Sequence, residues 1–289
     1  MIGRRWYTPW LFLAPSLVLL GVFMWWPVLN TSVLAFTDTH TLRGGGFVGL
    51  DNFRTLLQDS FFWNALGNSA LFTVLVTPAL MVLPLLLAIL VSAKLKGMTF
   101  FRVVFFSPVV ASMVVAALIW GWLLRSDGLL NFVLERLHLI NEPIRWLSDP
   151  SLVMISVALV TTWKGLGYYM VIYIAGLQNI PEDLYEAAAI DGAGPLRRFW
   201  SITVPLIRPT MLLVGTLVTL NAIKVFTEAF VLTGGGPNRA SETLVLYIYQ
   251  RGFSGLELGY SSAMSLVLFL VVLGLTLLSQ AATRRRANP

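Results

Sequence analysis

Cysteine is absent from all 289 residues, which excludes disulfides, thiol nucleophiles and cysteine metal ligands and leaves the redox compartment open. Histidine is nearly absent: His40 and His138 stand far apart with no second candidate ligand near either, so no metal site is expected. The lysines Lys94, Lys96, Lys164 and Lys224 are followed by Leu, Gly, Gly and Val. A phosphate loop of the Gly-Lys-Ser/Thr kind needs a hydroxyl beside the lysine to reach magnesium, so the chain is not expected to bind ATP in that way. The run Gly234-Gly235-Gly236-Pro237 reads as a tight turn rather than a phosphate cradle. No nucleophile–base pair or paired-acid constellation stands out, and no catalysis by this chain is expected. Charge is scarce too, at 12% of residues.

Apolar residues fill the space that charge leaves. They make up 57% of the chain, and mean hydropathy is +0.77, too oily for a soluble domain with polar faces. Six runs are long enough to cross a hydrocarbon core, which takes about 20 helical residues: 10–30, 67–93, 103–124, 151–177, 210–232 and 259–280. Backbone groups in lipid must be satisfied within each segment, so the expectation is an all-α membrane protein, one transmembrane domain over 1–289. Trp25-Trp26-Pro27 stands where a signal peptide would carry small residues, so the first run is read as an uncleaved helix. Pro78, Pro84 and Pro108 are expected to kink the second and third helices.

Basic residues set the expected orientation. Arg4, Arg5, Lys94, Lys96, Arg102, Arg197, Arg198, Arg208 and Arg284–Arg286, 11 of the 20 Lys and Arg, fall on one side of the alternation. That side is expected to be cytoplasmic, with both termini and the polar stretch 181–209. The pI near 9.8 then reflects topology, and no nucleic-acid partner is called for.

The stretch 181–209 is the most polar interruption. It reads as two small helices joined by a glycine break. Pro181 suits a first helical position and Glu182 and Asp183 suit the positive end of the helix dipole. Gly192 and Gly194 are able to take the left-handed backbone that ends a helix, Pro195 restarts the chain, and Pro205 and Pro209 lead into the next apolar run. Such an element would lie across the membrane surface and present Tyr185, Glu186 and Asp191 to a soluble partner.

Three charges fall inside apolar runs. Lys164 lies near the middle of the fourth, where a lysine costs about 2.5–3.5 kcal/mol on insertion scales. Lys224 and Glu228 lie four apart in the fifth, which on a continuous helix puts them on one face. With Trp163, Tyr168 and Asn221 they are the candidate pathway residues: aromatic faces that stack on apolar C–H groups, and polar groups that satisfy hydroxyls. The competing reading is a structural contact between helices.

The residues Glu186-Ala187-Ala188-Ala189-Ile190-Asp191-Gly192-Ala193, followed by Phe199, Ile202, Pro205 and Pro209, resemble the EAA loop of ATP-binding cassette (ABC) importer permeases. Trp163-Lys164-Gly165-Leu166-Gly167, Gly176-Leu177-Gln178-Asn179-Ile180-Pro181, Leu232-Thr233-Gly234-Gly235-Gly236-Pro237 and Phe47-Val48-Gly49-Leu50-Asp51-Asn52-Phe53 resemble the carbohydrate-uptake branch of that family. The resemblance covers nearly the whole chain in order. It implies a type I ABC importer permease fold with six transmembrane helices, in a bacterial or archaeal plasma membrane. It implies a second permease subunit, a dimer of ATP-binding subunits that hold ATP and Mg, and an extracytoplasmic solute-binding protein, with no cofactor in this chain. By that similarity Tyr185, Glu186, Ala187, Ala188, Asp191 and Gly192 form a coupling helix against the ATPase. The solute implied is a sugar, polyol or glycerol-phosphate derivative. The rival is an autonomous ion-coupled secondary transporter with Lys164, Lys224 and Glu228 as its relay.

Overall fold

In hydrocarbon a backbone must meet its own N–H and C=O groups. Apart from two isolated bridges, Thr37↔Phe47 and His40↔Gly44, the described residues form helices and turns with no strand. The computed structural model describes residues 7–92 and 97–287. Arg4, Arg5, Lys94 and Lys96, on which the orientation count leans, lie outside the described residues.

In chain order the helices are α1 (Thr8–Leu20), α2 (Trp26–Leu34), α3 (Asp51–Gln58), α4 (Ser60–Ser92), α5 (Met98–Val110), α6 (Met113–Leu123) and α7 (Leu129–Arg136). Then come α8 (Val153–Gln178), α9 (Glu182–Ile190), α10 (Pro195–Arg198), α11 (Val204–Ala222), α12 (Thr227–Thr233), α13 (Leu244–Tyr249) and α14 (Leu258–Ala287). Pro27 has no N–H to give, and the turn before α2, Gly21–Trp25, widens to π geometry so that Pro9–Leu34 runs on as one apolar helix. Four more stretches are long and apolar enough to cross a bilayer: Ser60–Ser92, Val153–Gln178, Pro195–Ala222 and Leu258–Ala281.

The third and fifth apolar runs depart from the expectation of simple spans. The third is a pair, α5 and α6, that meet at 99°, because Ala111 and Ser112 turn to extended backbone just past Pro108. The fifth stops at Ala222, and α12 starts afresh after Phe226. Lys224 therefore lies in a turn and Glu228 on a separate helix, which corrects the reading that places both on one helical face. By contrast α4 runs unbroken through Pro78 and Pro84.

The chain folds as two compact units, Met1–Ser60 with Tyr247–Val271, and Phe61–Leu246 with Val272–Pro289. In the first, the stretch 37–48 is laced to the start of α14: the Gly259 amide donates to Thr39 O at 2.9 Å and the Thr41 amide to Leu256 O at 3.1 Å. A side chain at Gly259 would meet the Thr37 carbonyl. Asn52 Nδ2 donates to the carbonyls of Ala35 and Thr37, and the hydroxyls of Tyr247 and Tyr260 donate to Asp59 Oδ2 at 2.6 and 2.7 Å.

The second unit is built on α8. Its buried core joins Phe72, Val76 and Leu80 of α4, Val157, Met170 and Tyr173 of α8, and Ile207, Val214 and Val218 of α11. Small residues let backbones approach where no hydrophobic drive separates helix from lipid. Gly167 is the closest case, for a Cβ there would strike the backbone of Phe105 and Phe106 in α5. Gly167→Ala is expected to lower stability by about 1–3 kcal/mol through overpacking. Gly67→Ala, where a Cβ meets nothing within 4 Å, stays within about 1 kcal/mol. Thermal unfolding of both variants in detergent checks the difference.

Candidate functional site

Two places gather the chemistry, both in the second unit. One is the polar loop. Pro181 stands just ahead of the first helical turn as its N-cap, not within it, and Glu182 and Asp183 occupy that turn. The helix α9 closes with a paired turn: the Ala193 amide donates to Ala188 O at 2.8 Å and the Gly192 amide to Ala189 O at 3.1 Å. Gly192 carries the left-handed backbone this closure needs, φ +72°, whereas Gly194 is extended. Arg198 Nε donates to Ala193 O at 2.7 Å, and the hydroxyls of Tyr185 and Thr203 are 2.9 Å apart. The second helix of the loop is not a small separate one: Pro195–Ala222 is continuous, with a π turn at Phe199–Thr203 and Pro205 and Pro209 inside it.

Glu186, Ala187, Asp191 and Gly192 are exposed on this loop, and Tyr185 and Ala188 are half-buried. Glu186 and Tyr185 also border a cavity of about 730 Å³ with Ser92, Arg102, Gln178 and Arg198. Sequence reasoning missed the apolar side of the loop. Ile190 is 88% exposed, and Leu196 and Trp200 are exposed as well. The available signal was an isoleucine on a polar nine-residue helix too short to bury it.

The other place is a cavity of about 460 Å³ bordered by Lys164, Tyr168, Asn221, Lys224 and Glu228. Five of the six pathway candidates thus meet, although they come from α8, the end of α11, the turn after it and α12. Trp163 does not border it; its ring packs edge-on to Trp120, 5.4 Å between centroids. Thr161, Phe226 and Thr227 also border it and were not anticipated. Lys164 Nζ donates to the carbonyls of Ala111 (2.8 Å), Pro108 and Val109 (3.3 Å each). Thr161 Oγ1 lies 3.5 Å from Glu228 Oε1. Both helix breaks open on this cavity, through Val109 and Met113 on one side and Lys224–Thr227 on the other.

The glycine run after α12 is a turn. Gly234 and Gly235 have positive φ, and the turn is held by Thr233, Ser241 and Asn68. Ser241 Oγ donates to Gly236 O at 2.6 Å, and Asn68 Nδ2 donates to the carbonyls of Arg239 and Glu242. Buried Glu242 pairs with Arg239 at 3.2 Å, and the Arg239 guanidinium stacks on Phe61.

Apolar crossings, helices interrupted at a cavity that holds charged and polar side chains, and a polar helix pinned at its own turn are the build of a multi-pass membrane permease. Residues 45–288 match the family model of binding-protein-dependent transport system inner membrane components, and the chain belongs to that family. It is 37% identical over 282 residues to the probable ABC transporter permease protein YurN of Bacillus subtilis, 96% of each chain. It is 35% identical to the lactose transport system permease protein LacF of Rhizobium radiobacter, covering 98% of this chain and 97% of that one. It is 36% identical to the sn-glycerol-3-phosphate transport system permease protein UgpA of Agrobacterium fabrum, covering 93% and 92%. A chain in the crystal structure of a bacterial ABC transporter involved in the import of the acidic polysaccharide alginate superposes with a TM-score of 0.86 at 24% identity, over 98% and 97% of the two chains. The fold is thus that of an ABC importer permease, and the ion-coupled carrier reading is left without support.

Gly192→Ala is expected to strain the paired turn by about 1 kcal/mol. The predicted sign is faster proteolytic nicking within 182–203 in native membranes, with nicking elsewhere unchanged.

Proposed function

We propose that this chain is one of two permease subunits, the other a different chain, of an ATP-driven importer for a sugar or related solute. A solute-binding protein delivers the cargo from outside, and a dimer of ATP-binding subunits holds ATP and Mg. Both termini and 181–209 face the cytoplasm in this reading, and residues 1–289 act as one permease domain. The lactose and glycerol-phosphate systems of the relatives support the solute class, with a disaccharide or oligosaccharide as the modal cargo.

The observation that carries the coupling role is the construction of α9. A nine-residue polar helix is closed by its paired turn and tied back by Arg198 and Tyr185. It nevertheless leaves Ile190 almost bare beside Glu186, Ala187 and Asp191. A large apolar side chain held out on a rigid polar knob suits a concave partner surface: the isoleucine fills a pocket, the alanines allow close approach, and Glu186 offers a carboxylate to a partner cation. Tyr185, Ala188 and Gly192 hold the knob's shape. The cavity bordered by Lys164, Tyr168, Asn221, Lys224 and Glu228 is the assigned stretch of pathway, with Trp163 supporting its wall from behind. Passage then follows a population shift, in which closure of the ATPase dimer favours one access state of the permease pair and its reopening the other.

The test is ATP hydrolysis and uptake by the complex reconstituted with its partner chains. Glu186→Ala and Gly192→Asp are each expected to lower solute-stimulated hydrolysis by about tenfold or more, the equivalent of 1.4 kcal/mol at the contact. Unchanged stimulation and uptake in both would overturn the coupling assignment. Ile190→Asp is expected to lower recovery of ATPase subunits with the affinity-purified permease, while Ile190→Val retains it; equal recovery in the two would remove the isoleucine from the interface.

A further inference from the structure

A lysine at the centre of a membrane helix needs a reason. At the α5–α6 break two successive residues, Ala111 (ψ 143°) and Ser112 (ψ 141°), leave the helical region. The last carbonyls of α5 consequently have no partner inside their helix, and the helix dipole adds partial negative charge there. Hydrocarbon itself offers them no donor. An ammonium has three N–H donors and no acceptor, and Lys164 Nζ has three carbonyls of that break within 3.3 Å, Pro108, Val109 and Ala111. Donors and acceptors match one for one, which leaves the ammonium none for a solute although its side chain borders the cavity.

Lys224 is the contrast. It borders the same cavity and is exposed, and its ammonium makes no hydrogen bond or ion pair among the described residues. The second break is closed without it: Thr243 Oγ1 donates to Val225 O at 2.8 Å, fully buried.

We propose that Lys164 is a positioning residue, the clasp that fixes the bend between α5 and α6, and that it affects transport through that bend rather than by binding cargo. The proposal rests on the importer reading only for its transport consequence, since the clasp itself is a property of this chain.

The chain has no cysteine, so a single Ser112→Cys at the exposed bend is a clean reporter. Its maleimide labelling is followed in the full complex in native membranes, alone and combined with Lys164→Met, Lys164→Arg or Lys224→Met. The expected result is a labelling rate changed about fivefold or more by Lys164→Met, restored by Lys164→Arg and untouched by Lys224→Met, which removes the same charge from the same cavity. In uptake, Lys164→Met is expected to lower the maximal rate about tenfold while half-saturation by solute-loaded binding protein stays within about twofold. Wild-type labelling in Lys164→Met would overturn the clasp. So would a raised half-saturation or altered solute preference with the maximal rate kept, which would make Lys164 a cargo ligand. Should Lys164→Met fail to reach the membrane, Lys164→Gln, whose amide retains donors, is read by the same criteria. ATP-independent uptake by wild type would take down the importer reading, yet the labelling comparison, which needs neither ATP nor cargo, would still decide the clasp.

Discussion

A helix that breaks inside hydrocarbon must find partners for the groups it frees, and the second unit is organised by how that demand is met at Pro108–Ala111. A central lysine costs about 2.5–3.5 kcal/mol to insert, while a hydrogen bond to a charged group returns about 1.5–3 kcal/mol. The carbonyls around Lys164 Nζ are therefore enough to offset the charge with no help from solute. The same helix brings the acceptors within reach. Gly167 lies one turn beyond Lys164 on α8 and admits the backbone of Phe105 and Phe106 where a Cβ would not fit. The glycine and the lysine are two halves of one contact between α8 and α5: the first permits the approach that the second then secures.

The two breaks explain why a cavity persists between closely packed helices. Straight helices crossing side by side would close the space with side chains. Here α5 turns away through 99°, and α11 gives way to α12 after a short turn. Backbone at Val109 and at Lys224–Thr227 replaces what would otherwise be helix flank. Irregular backbone at membrane depth is tolerated only where protein or a cavity covers it, and both coverings occur: Thr243 buries its bond to Val225 O, and Lys164 caps the α5 end.

Much of this was legible in the sequence, and what was not has a physical cause. Runs of apolar residues locate helices because lipid leaves no other solution. The glycine at 192 is readable because the left-handed turn there excludes most other residues. The breaks are different. Pro78, Pro84 and Pro108 give the same local signal, yet α4 passes through the first two and α5 ends just beyond the third. What accompanies the third is a donor on another helix, more than fifty residues along the chain, that takes up the freed carbonyls. The Lys224–Glu228 spacing misled for a related reason: an i, i+4 relation means a shared face only if the helix continues, and it stops at Ala222. The cavity members could be named because their chemistry is unusual for their surroundings, but their separate elements could not.

The merger of the loop's second helix with α11 has a mechanical consequence. Had Pro195–Arg198 been a free-standing helix, motion of α9 would be absorbed by the joint after it. Instead Pro195–Ala222 is one element of 28 residues, about 42 Å long at 1.5 Å per residue. Its first turn is pinned to the turn that closes α9 through Arg198 and, a turn later, to α9 itself through the hydroxyl pair Tyr185–Thr203. Its last residues, Asn221 and Ala222, border the cavity at the second break. In the proposed coupling role, a displacement of α9 would reach the joint where α11 yields to α12 along one continuous helix. The π turn at Phe199–Thr203 is the one widened place along it, and it sits where the bond to Tyr185 holds it. In this arrangement the loop and the cavity need no chain of intermediate side-chain contacts, because one helix ends in both.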